Sequence, residues 1–311
     1  MQKIVVIGGG TGLSNLLAGL KKHTDHLSAV VTMTDDGYST GKLRRDLGVL
    51  PPGDIRQCMA ALASDESLVT KMFQYRFDKG RGIAGHSLGN LLLVALENIT
   101  GSFQEAVHQA SHILAIKGKV LPSTFSEVSI KAKLKNGRVI LGEHNITKEG
   151  HRSPIKQIYL KPNKVKANTE VLWEIQNADL IIIGPGSLYT SIIPNLLIKE
   201  ITRAIVKSKA RKIYIANIAT ERGETENYSV KDHINALVKH SDPKVFDICL
   251  VNEHIVNEDE DSGELGKIKN ITTDAKKIGR YKIIKADLVN PEKPLFHDRK
   301  KLAEAIIKIS E

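Results

Sequence analysis

Hydrophobic residues lie along this chain in short apolar runs that alternate with segments of helical periodicity. Residues 4–7 form an apolar run without a polar break, which is typical of a strand covered by helices on both faces. Over residues 13–20 the apolar side chains recur at helical spacing. This alternation predicts an α/β fold, a Rossmann-like, mostly parallel sheet flanked by helices. The same criteria predict strands over 28–34, 119–124, 179–183, 211–216, 246–251 and 281–284, and helices over 68–77, 91–99, 102–116, 169–176, 230–239 and 299–309.

The period of the pattern changes from helical to alternating in the middle of the chain. Apolar and polar residues alternate over 128–134, and Asn136-Gly137 is a favoured hairpin turn. Residues 139–146 are then predicted to return as a second strand. Together with 155–160, these strands predict a small antiparallel sheet beside the main one.

The domain organisation follows from the same pattern. We expect one α/β domain over 1–311, with the antiparallel excursion at 127–161 inside it. Residues 253–269 are rich in charge and poor in apolar side chains, so they are predicted to form an exposed segment. Residues 91–99 are apolar on all sides, which predicts a buried helix.

A glycine-rich loop follows the first predicted strand. Gly8, Gly9, Gly10 and Gly12 let the backbone come close to a ligand, and the amides and dipole of the following helix would face an anion. The dinucleotide fingerprint requires a further glycine where Leu13 stands, and the Gly-Lys-Ser/Thr of a Walker loop is missing. A phosphate or nucleotide loop of non-standard type is predicted, with a tight turn without a ligand as the alternative.

Acidic residues follow the second predicted strand. Asp35 and Asp36 lie about 20 positions beyond the glycine loop, where a Rossmann-like unit binds a ribose hydroxyl. They are therefore candidate hydroxyl or metal ligands, and a turn stabilised by their side chains before Gly37 is the alternative. Asp54, after a proline-rich loop, is interpreted as the cap of the next helix.

Two other segments carry candidate chemistry. Residues 184–187 repeat the strand, glycine turn and helix arrangement, which predicts a second anion site. His86 and Asn90 lie at the start of an apolar helix, where they either contact a ligand or have only a structural role.

Composition and charge narrow the function classes. The formal charge is +10, but the lysines are scattered and seldom interleaved with aromatics, so the sequence predicts a polyanionic small molecule and no nucleic acid as partner. Cys58 and Cys249 lie in apolar surroundings and are expected to be buried thiols. The apolar stretches are shorter than the ~20 residues of a membrane span, and the N-terminus has no signal-type segment. We expect a cytoplasmic protein.

The assembled motifs resemble the YvcK/CofD family, and more closely its YvcK branch, the bacterial proteins called gluconeogenesis factors. The sequence departs from the family pattern at Tyr38, where glycine is usual, and at Lys42, where arginine is usual. The resemblance extends from the first strand into the last third of the chain. The motifs that carry it are Gly8-Gly-Gly-Thr-Gly12, Asp35-Asp-Gly37 with Ser39, Gly41, Leu43 and Arg44, Pro51-Pro-Gly-Asp-Ile-Arg56, Gly85-His-Ser-Leu-Gly-Asn90, Val120-Leu-Pro-Ser-Thr124, Gly184-Pro-Gly-Ser-Leu188, and Asn217 with Gly223-Glu-Thr225.

For the YvcK branch, the resemblance implies binding of a nucleotide sugar such as UDP-N-acetylglucosamine, with a role in cell shape and wall synthesis during growth on gluconeogenic carbon sources. A dinucleotide such as NAD is a further ligand that these loops would accept. We expect no required cofactor and no turnover, and the resemblance allows a homo-oligomer and contacts with cell-wall-synthesis proteins. The candidate ligand-binding residues are Gly9, Gly10, Thr11, Gly12, Asp35, Ser39, Lys42, Arg44, Asn90, Gly186, Ser187 and Asn217.

For the CofD branch, the resemblance implies the alternative function, transfer of a phospholactyl group from a nucleotide donor to a deazaflavin with magnesium. Asp35 and Asp36 would then hold magnesium, Lys42 or Arg44 would stabilise phosphoryl charge, and His86 with Asn90 would orient the acceptor. A deazaflavin requires a flat aromatic or apolar slot, whereas the chain contains a single Trp, at position 173, and 5% aromatic residues. This favours the binding protein over the transferase.

Overall fold

The computed structural model describes residues 2–64, 68–255 and 269–310. In these ranges it contains an eight-stranded and a three-stranded sheet. The strands in chain order are β1 (Ile4–Gly8), β2 (Leu27–Val31), β3 (Lys119–Pro122), β4 (Ser129–Leu134), β5 (Val139–Leu141), β6 (Ile155–Lys161), β7 (Leu180–Ile183), β8 (Arg211–Ile215), β9 (Ile248–Asn252), β10 (Lys277–Ile278) and β11 (Tyr281–Ala286).

The large sheet has the order β10-β11-β9-β8-β7-β1-β2-β3, and the small one the order β5-β4-β6. Every pairing in the large sheet is parallel except that of β10 with β11, and both pairings in the small sheet are antiparallel. The predicted Rossmann-like α/β fold with a small antiparallel excursion is therefore confirmed.

Helices cover both faces of the large sheet. Those in the described residues are α1 (Gly10–Leu20), α2 (Tyr38–Leu47), α3 (Gly53–Leu62), α4 (Leu68–Gln74), α5 (Leu88–Thr100), α6 (Phe103–Ile113), α7 (Glu143–Glu149), α8 (Thr169–Gln176), α9 (Ile193–Leu196), α10 (Lys199–Lys207), α11 (Val230–His240) and α12 (Arg299–Ser310), with a 3-10 turn at Gly150–Arg152 and a π-helical turn at Leu188–Ile192. Within this part of the chain, no helix has both the length and the hydropathy that crossing a membrane requires.

The alternating side chains of β1 divide the core into two layers. Ile4 and Val6 pack in one layer, which also holds the apolar side chains of α1, α3 and α12. Val5 and Ile7 pack in the other, with the turn after β7, with α8, α10 and α11, and with the inner face of the small sheet. Because both faces are covered, the central strands are apolar throughout, as the sequence predicted.

Two details differ from the sequence-based predictions, and one lies mostly outside the residues that the structure describes. Residues 139–146 were predicted as one strand, but β5 ends at Leu141 and α7 begins at Glu143, because contacts from a distant loop hold the start of that helix. The helix predicted to be buried on all sides, α5, exposes 79% of Ile99 and 38% of Leu92. The predicted exposed segment 253–269 lies mostly outside the described residues.

Candidate functional site

The order in which strands are added to the sheet reverses between β1 and β7, which are adjacent and parallel. From β1 the chain passes through α1 to β2 on one side, and from β7 it passes to β8 on the other side. Leu13 of α1 packs against one face of the sheet, and Leu188 after β7 packs against the opposite face. Such a switch point opens a crevice at the carboxyl ends of the strands, where parallel α/β sheets bind their ligands.

Both glycine-rich loops lie at this crevice and are in contact. A Cβ on Gly12 would lie 2.8 Å from the carbonyl oxygen of Pro185, and a Cβ on Gly9 would lie 2.7 Å from Oδ2 of Asp54. Asn195, beyond the second loop, donates a hydrogen bond of 3.0 Å to the carbonyl of Gly8. The glycines at positions 9 and 12 are therefore required by close packing, and the structure brings together the two loops that the sequence singled out.

The N-terminus of α1 faces the crevice without a side-chain cap. Its Ncap residue is Gly9, which carries no side chain to accept from the first amides. The Gly10 amide donates to the carboxyl group of Asp54. Asp54 lies in the first turn of α3, one residue after its start and not at its Ncap, which is Pro52. Interpreting it as the cap of α3 was therefore wrong, because its side chain accepts from an amide of the neighbouring helix α1.

The second helix end holds a carboxylate of the chain itself. Glu224 accepts from the Tyr189 amide at 2.9 Å and from the Thr190 hydroxyl at 2.7 Å. Asn217 accepts from the Gly186 amide at 3.4 Å and donates to Glu221 at 3.2 Å, and the Ser187 hydroxyl also bonds to Glu221. The amides of Gly186 and Tyr189, at the loop expected to bind a second phosphate, thus already have side-chain acceptors from this chain.

Asp35 and Asp36 face different parts of the structure. Asp35 is partly buried, and its carboxylate accepts from the Gly37 amide at 2.9 Å. Asp36 accepts from the first amides of α7, those of Glu143 at 3.1 Å and His144 at 2.8 Å. A carboxylate at a helix N-terminus is stabilised by the dipole and by these bonds. Asp36 thereby holds α7 beside the crevice.

Ser39 and Asn90, both predicted ligand contacts, belong to one buried hydrogen-bonded chain. The Ser39 hydroxyl lies 3.0 Å from Nδ1 of His86 and accepts from Nδ2 of Asn90 at 3.1 Å. Oδ1 of Asn90 in turn accepts from Nε of Arg56 at 2.9 Å. Because Ser39 accepts from Asn90, its proton is free to point at His86. Burial, and then the charge of Lys42, lower the pKa of His86, which favours the neutral ring that such a bond needs.

The remaining predicted residues are placed as follows. Arg44 donates to the backbone carbonyls of Asp35 at 2.9 Å and Val128 at 2.8 Å, so it joins two loops. Thr11 and Lys42 are exposed. Their roles in ligand binding stay predictions.

The crevice also gathers carboxyl groups that the sequence analysis did not select as ligand contacts. Burial, and next the Asp35 carboxylate, raise the pKa of Asp54 to about 7, while the Gly10 amide and Arg56 act in the opposite direction. Burial and the nearby Glu224 raise the pKa of Glu221 to about 8. Part of each group is consequently protonated near neutral pH, and a protonated carboxyl is able to donate to a ligand oxygen.

Glu143 combines a raised pKa with an unpaired carboxyl oxygen among the described residues. Burial, followed by the charges of Asp35 and Asp54, raises the pKa of its carboxyl well above the ordinary value. Its Oε2 atom is buried and finds no hydrogen-bond partner among the described residues. Sequence reasoning had no signal for it, because it lies 107 positions from Asp36, whose Oδ2 accepts from its amide.

The donor atoms of Asp35 and Asp36 decide whether this pair fits a magnesium ion. Both oxygens of Asp36 already accept α7 amides, so it does not offer a free carboxylate beside Asp35. Across residues 2–64, 68–255 and 269–310, no group of three or more His, Cys, Asp or Glu side chains has the arrangement to hold a metal ion. The Asp35 and Asp36 pair as described does not fit the magnesium ion of the transferase alternative.

The chain is similar in sequence and in structure to known proteins. Residues 4–289 match the family model described as 2-phospho-L-lactate transferase CofD. The gluconeogenesis factor of Bacillus subtilis is 43% identical over 98% of this chain and 97% of its own length, and that of Listeria innocua is 40% identical over 98% and 94%. A crystal structure of a Bacillus halodurans protein superposes with a TM-score of 0.93 at 40% identity, covering 98% of this chain and 99% of the other. The chain therefore belongs to the YvcK/CofD family and, within it, groups with the relatives named gluconeogenesis factors.

Proposed function

We propose that this protein binds a nucleotide sugar of the UDP-N-acetylglucosamine type in the crevice between the two glycine loops. The observation that carries the proposal is the contact between Gly12 and Pro185 at the switch point of the sheet. It brings the N-terminus of α1, whose Ncap residue Gly9 has no side chain, to the place where parallel α/β folds hold the phosphates of nucleotides.

The side chains around the crevice suit the rest of such a ligand. Sugar and ribose hydroxyls both donate and accept, and they pair with carboxyl and amide groups of the kind that Asp35, Glu143 and Asn217 supply. The buried Oε2 of Glu143 has no partner in the described structure, so a ligand hydroxyl would remove the cost of leaving that atom unpaired. Raised pKa values at Asp54 and Glu221 reduce the repulsion that a diphosphate would otherwise meet.

The biological role that we propose is that of a regulatory binding protein. Relatives named gluconeogenesis factors cover nearly the whole chain, and we therefore assign it to growth on gluconeogenic carbon sources and to the maintenance of cell shape under those conditions. The transferase alternative draws on the description of the matching family model. It is less supported because Asp36 is engaged by α7.

Isothermal titration of the purified protein with UDP-N-acetylglucosamine, UDP, GDP and NAD, with and without magnesium, tests this proposal. We expect magnesium-independent binding of the UDP-sugar, which is recovered intact. Gly10→Val and Asp35→Ala should abolish binding, whereas Asp274→Ala, at an exposed carboxylate, should leave it unchanged. Thermal unfolding of each variant establishes that it is folded.

Two results would contradict the proposed nucleotide-sugar binding. Preference for a guanine nucleotide, dependence on magnesium and transfer of a group to a deazaflavin would show that the protein is a transferase and not a binding protein. Equal affinity of the wild type and Gly10→Val for every nucleotide would show that the crevice is not the nucleotide-binding site.

A further inference from the structure

Helix α6 carries two histidines one turn apart on its exposed face. His108 and His112 are at positions i and i+4, so their side chains lie on the same side of the helix. Both are exposed, with 62% of the His108 side chain accessible. They play no part in the crevice, since α6 packs against α5 through its opposite, apolar face.

The ring nitrogens of this pair are separated by the distance that a chelated metal ion imposes. Nε2 of His108 lies 3.3 Å from Nε2 of His112. Zn–N bonds of about 2.0–2.1 Å at a tetrahedral angle place two nitrogens about 3.3–3.4 Å apart. The two rings are close to perpendicular, at 85°, with centroids 4.6 Å apart.

A carboxylate supports the first of the two rings. Oε1 of Glu105 lies 3.7 Å from Nδ1 of His108, and it is held by a 2.6 Å hydrogen bond from Nε2 of Gln109. A carboxylate beside Nδ1 favours the tautomer with its proton there and leaves the lone pair of Nε2 for a metal. At 3.7 Å this contact is electrostatic and lacks the direct hydrogen bond of the carboxylate–histidine–zinc arrangement.

We infer that His108 and His112 form a binding site for a divalent transition metal ion of the zinc, nickel and copper class. The site has two protein ligands, both imidazole nitrogens, and its remaining coordination positions are open to water or to a donor from another molecule. Magnesium and calcium are excluded because they require oxygen ligands. The two nitrogens already stand at the chelating distance, and metal binding has to displace the proton of the hydrogen bond between them.

Titration of the protein, purified without a histidine tag, with ZnCl2 and NiCl2 at pH 7.5 tests the inference. We expect one metal ion for each pair and no competition by MgCl2. His108→Asn and His112→Asn should each abolish this binding, and Glu105→Gln should weaken it by less than about 10-fold, because the carboxylate lies beyond hydrogen-bond distance of His108. His151→Asn, at an exposed histidine elsewhere, is the matched control and should bind like the wild type.

Two further readouts locate the metal. In 15N spectra of histidine-labelled protein, zinc should shift the Nε2 signals of His108 and His112 selectively, and lowering the pH to 5.5 should release it because the ligands must be neutral. Unchanged thermal unfolding of the apo variants would show that they are folded. Shifts spread over other histidines, or equal zinc affinity in His112→Asn and the wild type, would overturn the inference and leave the pair as two imidazoles sharing an N–H···N hydrogen bond.

Discussion

The carboxyl group of Asp54, in the first turn of α3, accepts a hydrogen bond from the backbone amide of Gly10, at the start of α1. The bond places a buried acid of raised pKa directly behind the loop that we propose to hold a phosphate. Because Asp54 titrates near neutral pH, the stability of the protein and the strength of anion binding should both depend on its proton.

The first prediction concerns pH. Asp54 has a pKa of about 7 in the native protein and about 3.9 in an unfolded chain. Between these values the native state holds a proton that the unfolded state releases, so the free energy of unfolding falls as the pH rises and levels off above about 7. This group lowers it by at most about 1.4 kcal/mol for each pH unit.

Asp54→Asn keeps an oxygen for the Gly10 amide and removes the titration. We expect urea unfolding measured from pH 4 to 8 to show a shallower decline in the variant than in the wild type. Some decline should persist, because burial also raises the pKa values of Glu221 and Glu224. Identical pH profiles for the two proteins would show that Asp54 does not carry the effect.

The second prediction separates two glycines of one loop. A Cβ on Gly12 would lie 2.8 Å from the Pro185 carbonyl oxygen, whereas a Cβ on Gly8 would meet Leu13 at an ordinary 3.6 Å. Gly12→Ala should therefore separate the two loops, cost about 1–3 kcal/mol as other overpacked sites do, and weaken nucleotide binding. Gly8→Ala is the matched control, and urea unfolding with titration should find it close to the wild type. Equal behaviour of the two variants would refute the close contact.

The third prediction concerns Asp36 as the anchor of α7. Asp36→Ala leaves the amides of Glu143 and His144 without their acceptor, and we expect a loss of about 1–2 kcal/mol, as for other helix caps. Hydrogen exchange should show faster exchange confined to α7 and its contacts. Asp36→Asn retains an acceptor oxygen and should lose less. If Asp36→Ala instead leaves α7 protected and removes a magnesium dependence, the carboxylate is a metal ligand.

The fourth prediction concerns Tyr38, which stands where the family pattern has glycine. Its φ of +32° lies in the region that favours glycine. The residue is 85% exposed, and its ring makes an edge contact with that of His144. Tyr38→Ala and Tyr38→Gly lose the same ring and differ only in the backbone. We expect the glycine variant to be more stable in urea by about 1 kcal/mol, the cost of this conformation for other residues. A more stable alanine variant would show that the backbone there is unstrained.

The sequence determined the order of the elements and the position of the loops. An apolar run such as residues 4–7 is covered on both faces, and α8 runs from Thr169 to Gln176 as predicted, because period and capping are local properties that a short segment expresses by itself. The glycines at 8–12 and 184–187 were likewise visible, since close backbone approach tolerates few other residues. These local signals were sufficient to identify the family.

Only the tertiary structure decided which polar groups meet. Glu143 and Glu221 gave no signal in the sequence, and Glu224 appeared there only as part of a family motif, because burial and electrostatic coupling arise from contacts between distant segments. Residues 142–146 were predicted as strand, and they fold differently because Asp36, more than 100 positions away, binds the first amides of α7. The sequence by itself determined the fold and the position of its glycine loops, whereas packing determined the acid groups and their protonation, since a pKa depends on the neighbours that folding brings together.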